Sequence, residues 1–129
     1  MAEEHKTILI AEDEEDLREM YTVALSGGGF EVLQAKNGKE VFEWLEKVQG
    51  KVDLILLDIV MPEMDGFESL EDLKKDEKYQ KIPVVVSTNL DNDEDRAQAM
   101  GLGAKDYFVK SRHTPAELVA HIKKTLSVL

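Results

Sequence analysis

Apolar runs of about five residues alternate with longer segments of helical period along the chain, a pattern that restricts it to repeated strand–helix units. Strands are predicted at Thr7 to Ala11, Phe30 to Ala35, Leu54 to Asp58, Val84 to Thr88 and Asp106 to Lys110. Several are apolar throughout, as strands covered on both faces must be. Between them, Glu14 to Leu25 places Leu17, Met20, Tyr21, Ala24 and Leu25 at helical spacing, and Gly27, Gly28 and Gly29 then open a turn. A second helix begins after Asn37 as cap, carries Val41, Phe42, Trp44, Leu45 and Val48, and stops near Gly50. A third runs from about Phe67 to Lys75, and a weakly apolar fourth from Asp93 to Met100. The fifth has Thr114 as N-cap, Pro115 at its first position, and Leu118, Val119, Ile122 and Leu126 on one face.

Sequential parallel strands need crossovers, and these are nearly always right-handed, so the expected fold is a doubly wound α/β sheet with helices on both faces. Ligands of such folds sit beyond the carboxyl ends of the strands. One domain, 1–129, with its core at about 6–127, accounts for the length. Cysteine is absent, which excludes disulfides and thiolate metal sites. No stretch approaches the roughly 18 apolar residues of a membrane span, and Met1 to Ile10 lacks the apolar run of a signal peptide, so a cytoplasmic protein is expected. A net charge of -11, with Lys and Arg scattered, disfavours direct contact with nucleic acid or an anionic membrane.

The predicted strand ends collect Glu12 and Asp13 after the first strand, Asp58 closing the third, Thr88 the fourth and Lys110 the fifth. Three carboxylates brought together repel unless a cation or a lysine offsets them, and a divalent cation resolves the conflict. Oxygen-only donors select a hard ion, Mg²⁺ first and Mn²⁺ second. With that ion a carboxylate can attack phosphorus while lysine and hydroxyl neutralise the transferring group. Asp58 is then the phosphoryl acceptor, Asp13 a direct metal ligand with Glu12 assisting from behind the direct ligands or through water, Lys110 a partner of the phosphoryl oxygens and Thr88 a hydrogen-bond donor to one of them. Taken singly, Asp13 reads as a helix cap, Asp58 as a turn residue, Thr88 as a β-former, Lys110 as an edge residue and Tyr107 as core. Their joint occurrence favours chemistry.

Ile8-Leu9-Ile10-Ala11-Glu12-Asp13, the run from Asp58 through Met61-Pro62-Glu63-Met64-Asp65-Gly66, and Gly103 to Lys110 resemble the receiver domains of two-component signalling over almost the whole chain. The resemblance implies strand order 2-1-3-4-5 and a response regulator whose phosphoprotein form is an aspartyl phosphate on Asp58. The donor would be a phosphohistidine on a sensor histidine kinase or a histidine phosphotransfer protein. It also implies the backbone carbonyl of Val60 as a metal ligand and Tyr107 as switch aromatic. Phosphorylation would draw Thr88 inward, admit the Tyr107 ring, and reshape the surface of the fourth helix, fifth strand and fifth helix.

Four positions depart from the family. Ser111 stands where most receivers carry a proline on a cis bond; a cis bond without proline costs about 2.5 to 4 kcal/mol, so Lys110–Ser111 is predicted trans with a shifted loop. Asn89 is bulkier than the small residue usual there, and modifies access. Val60 and Leu90 occupy the two positions that tune dephosphorylation, and neither can position water, so a long-lived aspartyl phosphate is expected. Gly66 and Gly103 are assigned to turns and close packing, Met61 and Met64 to packing, and His5, His113 and His121 to no metal site. No separate enzymatic turnover is expected, because Ile59 and Val60 follow Asp58 where a phosphatase would place a second general acid. The alternative function is an unphosphorylated interaction module on the same fold.

Overall fold

The computed structural model describes residues 5–60 and 66–127; the expectations on Met61 to Asp65 lie outside the described residues. Leu54–Leu57 (β3) and Val84–Thr88 (β4) are buried at every position. Thr7–Ala11 (β1) is nearly so. With Glu31–Ala35 (β2) and Asp106–Val109 (β5) they form one parallel sheet of order β2-β1-β3-β4-β5, the expected order. Alternate residues feed two cores. Leu9, Ile55, Leu57, Val84 and Val86 point to one face, and Ile8, Ile10, Leu54, Leu56 and Val85 to the other. Each aliphatic side chain so buried contributes about 1.5 to 3 kcal/mol, which is why the strands can be short.

Glu15–Gly27 (α1) and Pro115–Thr125 (α5) cover the second face through Tyr21, Leu25, Leu118 and Ile122. Gly38–Lys47 (α2), Gly66–Lys75 (α3) and Asp93–Gly101 (α4) cover the first through Val41, Leu45, Leu70, Leu73 and Ala99. The Asn37 side chain accepts from Glu40 N–H at 2.9 Å, and Thr114 forms a full capping box with Glu117, both at the expected positions. Asn92 caps α4 in the same way, a role not foreseen.

The differences from expectation lie at element ends. α1 runs two residues past Leu25 because Gly28 N–H closes its last turn on Ala24 and Leu25 carbonyls. Phe30 belongs to that closure, donating to Leu25 O, so β2 starts at Glu31. Asp58 still donates its N–H to Ala11 O at 3.0 Å but lies just past β3. Lys110 opens a single 3₁₀ turn, Lys110–Arg112, instead of closing β5. Among the described residues no peptide bond is cis, so Lys110–Ser111 is trans.

Two glycines have the packing roles expected of them. A Cβ on Gly66 would stand 2.2 Å from Ile59 Cα and 2.5 Å from Asp58 O, so the start of α3 can press on the segment after β3 only without a side chain. Gly103 has φ +105° and lies against the Lys74 stem, whose ammonium donates to Gln80 O and Ile82 O.

Candidate functional site

The carboxyl ends of β1, β3, β4 and β5 meet around one open cavity of about 290 Å³, walled by Glu12, Asp13, Asp58, Val60, Thr88 and Lys110, with Asn89 and Leu90 beside them. Strand parity places Glu12, Asp58 and Lys110 side by side: each continues the row of its strand that faces α1 and α5, one step beyond the core.

Glu12, Asp58 and Lys110 are 2%, 6% and 8% exposed, so their charges must answer one another. Lys110 Nζ donates to Glu12 Oε1 and, at 2.9 Å, to Asp58 Oδ2. Burial alone would lower the Lys110 pKa, but the charge of Asp58 and the bonds to both acids reverse this and hold it above the ordinary lysine value. Burial pushes the Glu12 carboxyl above its usual range, against the opposing pull of Lys110. Asp58 Oδ1 accepts from Val60 N–H at 2.9 Å, which turns the carboxylate toward the cavity wall that Val60 forms.

One oxygen from each of Glu12, Asp13 and Asp58 lies within 4.8 Å of the others, a separation that one cation can span. The donors differ in availability. Glu12 Oε1 is taken by Lys110 and Oε2 by Glu14 N–H at 3.1 Å. Asp13 is exposed and accepts no hydrogen bond from a described residue. It is not the cap of α1, whose N-cap is Glu14 and makes no side-chain cap bond. An all-oxygen set with one free carboxylate, one shared with lysine and one saturated fits a hard divalent ion held by few protein ligands and several waters.

Thr88 is fully buried at the end of β4, and its Oγ1 accepts from Leu90 N–H at 3.3 Å, which leaves the hydroxyl proton free to donate. Tyr107 is 5% exposed and packs in the core beneath α4, as its bland reading had it. Its hydroxyl donates to Leu90 O at 2.7 Å, and Arg96 lies over its ring at 5.0 Å. Arg112 pairs with Asp91, so the segment after β4 is tied both to β5 and to the 3₁₀ turn. Asn89 is exposed on the cavity wall. His121 Nε2 lies 2.6 Å from Asp106 Oδ2, and His113 stacks on Phe108.

Sequence reasoning missed Arg18. Its Nη1 donates to Glu12 O at 2.9 Å and its Nε to Gln34 Oε1 at 3.2 Å. The only trace of it in the sequence is a basic residue in the first turns of a helix that opens on acids.

The response regulator receiver domain family matches residues 8–123. The phosphate regulon transcriptional regulatory protein PhoB of Pseudomonas aeruginosa is 40% identical over 121 residues, 94% of this chain and 52% of that protein. PhoB of Escherichia coli is 36% identical over the same number, with the same coverage. The chain thus spans about half the length of the curated relatives it matches. Among solved structures, the Vibrio cholerae chemotaxis protein CheY4 superposes with a TM-score of 0.85 at 26% identity, over 94% of this chain and 98% of that one. The BeF3-activated N-terminal receiver domain of Klebsiella pneumoniae RstA does so with 0.84 at 28%, at the same coverage.

Proposed function

Because the chain belongs to the response-regulator receiver-domain family, we propose that it is a phosphorylation-dependent signalling switch, a single receiver domain whose acceptor is Asp58. The observation that carries this reading is the placing of the Asp58 carboxylate between Lys110 Nζ and Val60 N–H, with carboxylate oxygens of Glu12 and Asp13 within 4.8 Å. Asp13 and Asp58, with the Val60 carbonyl, would hold Mg²⁺, or Mn²⁺ in its place; Glu12, saturated by Lys110 and Glu14, acts through water. The bound ion supplies positive charge that screens the incoming phosphoryl group from the acids.

An Asp58 oxygen attacks the phosphorus of a phosphohistidine on a sensor kinase or phosphotransfer protein. A P–O bond forms, the P–N bond breaks, and the imidazole leaves with the bonding pair and takes up a proton. Lys110 exchanges a carboxylate for a phosphoryl oxygen as its partner, and Thr88 donates its free hydroxyl proton to another. Drawing Thr88 toward the phosphoryl group withdraws its oxygen from Leu90 N–H, while Leu90 O is held by Tyr107. The switch therefore reaches the surface through Leu90 and Tyr107, and its output is contact of the α4–β5–α5 face with a protein target. The net charge of -11 disfavours direct DNA contact by this segment. It works inside the cytoplasm and turns over no other substrate; among the described residues, no helix is long and apolar enough to cross a membrane.

Incubation with acetyl phosphate and Mg²⁺, read by intact mass, is expected to add one phosphoryl group to the wild type and none to Asp58→Asn. No adduct on the wild type would leave the unphosphorylated-module reading in its place. After donor removal the adduct is expected to persist, since Val60 is an exposed aliphatic and Leu90 a half-buried one, and neither orients an attacking water. Rapid loss in Mg²⁺ would refute that part.

A further inference from the structure

Three clustered carboxylates share a single lysine, which bonds Glu12 and Asp58 but not Asp13. Asp13 is exposed and accepts no hydrogen bond from a described residue, so its position is set by the main chain of the β1–α1 turn. That turn is held on one side by Glu12 N–H, which donates to Ala35 O at 3.0 Å. On the other it is held by Arg18, whose Nη1 donates at 2.9 Å to the Glu12 carbonyl, the oxygen of the peptide that leads into Asp13. The second arm of the guanidinium, Nε, donates to Gln34 Oε1 on β2, and the main-chain oxygen of Gln34 in turn accepts the Trp44 indole N–H at 2.7 Å. The brace thus runs from the edge of the sheet and α2 into the peptide plane beside Asp13.

The atoms Arg18 engages are the informative part. A cation beside an acidic cluster would ordinarily pair with a carboxylate and compete with a metal ion for its oxygens. This one instead bonds a main-chain carbonyl and a neutral amide, so it adds positive charge near the acids and fixes their turn while leaving every carboxylate oxygen where it was. We propose that Arg18 is a positioning residue of the divalent-cation site, setting the Asp13 carboxylate against Asp58. The inference rests on the reading of Glu12, Asp13 and Asp58 as that site.

The test is the Mn²⁺ affinity of the full chain, read from the paramagnetic resonance signal of free Mn²⁺ and repeated with Mg²⁺ in competition. Arg18→Met keeps the stem and loses every donor; loss of such a supporting partner is expected to weaken binding about 10- to 100-fold. Arg18→Lys keeps the charge but cannot span Glu12 O and Gln34 Oε1, and should fall between Arg18→Met and wild type. A brace that served the fold alone would lower the melting temperature and leave the Kd of the folded protein unchanged. The inference is overturned if Arg18→Met binds within twofold of wild type or, should that variant not fold, if Arg18→Lys does. Wild type that fails to bind Mn²⁺, or binds it equally well as Asp13→Asn with Asp58→Asn, would sink the cation site itself and the inference with it.

Discussion

Lys110 balances two buried carboxylates and is itself buried, so its removal leaves like charges facing one another without an offset. Breaking a buried pair by deleting one partner typically costs about 3 to 5 kcal/mol. Lys110→Met, similar in volume and uncharged, is expected to lose stability of that order in urea unfolding at neutral pH. Added Mg²⁺ should recover more of it than it adds to the wild type, because the ion takes over as counter-charge. Equal Mg²⁺ effects on the two proteins would show that ion and ammonium do not share the same acids. The same residue marks what the sequence conveyed and what it did not. That Glu12, Asp13, Asp58, Thr88 and Lys110 would converge followed from strand ends and chain order. That Lys110 saturates one oxygen of Glu12 while the Glu14 amide takes the other, leaving Asp13 the less engaged of the two acids, depends on rotamers that leave no mark on spacing.

Among the elements, strands were legible because burial on both faces forces a run of aliphatic residues, and β1 and β4 fall at the predicted residues. Helix starts were legible where the cap is a side chain, as at Asn37 and Thr114. Ends that depend on main-chain bonds were displaced: the closure of α1 through Gly28 and Phe30, and the 3₁₀ turn at Lys110, are events of backbone geometry for which hydrophobic period is blind. Arg18 was invisible for the same reason, since both of its acceptors are defined by the fold.

The capping box of α5 carries an element-level prediction. The Thr114 N–H, then the His113 ring and the Thr114 side chain, hold the Glu117 carboxyl below its ordinary value of 4.5. A carboxyl lowered by folding contributes stability that is full above the ordinary value and is lost as pH falls through the lowered one. The Thr114 amide shift is therefore expected to titrate in nuclear magnetic resonance below pH 4.5. In Glu117→Gln, which retains an acceptor oxygen at the same place, the shift should stay flat. A Thr114 midpoint at or above the ordinary value would refute the assignment.

At the scale of the whole molecule, the sheet order brings together residues that are remote in the chain. Glu12 and Lys110 are 98 positions apart, and Asp58 and Lys110 are 52. Acids, Asp58, hydroxyl and lysine lie at the carboxyl ends of β1, β3, β4 and β5 respectively, so no pair of neighbouring strands contains them together. Capacity to accept phosphate from acetyl phosphate is therefore expected to fall along the same urea curve as global unfolding, monitored by circular dichroism. A site that stayed reactive past the unfolding midpoint would contradict this.

The 98-residue span between Glu12 and Lys110 also bears on biosynthesis. A chain emerging from the ribosome presents Glu12, Asp13 and Asp58 well before Lys110 and can close their constellation only when β5 has been made and docked. If Asp58 accepts phosphate as proposed, nascent or misfolded copies would carry that aspartate without the lysine beside it, and only copies that had finished folding would be competent to signal.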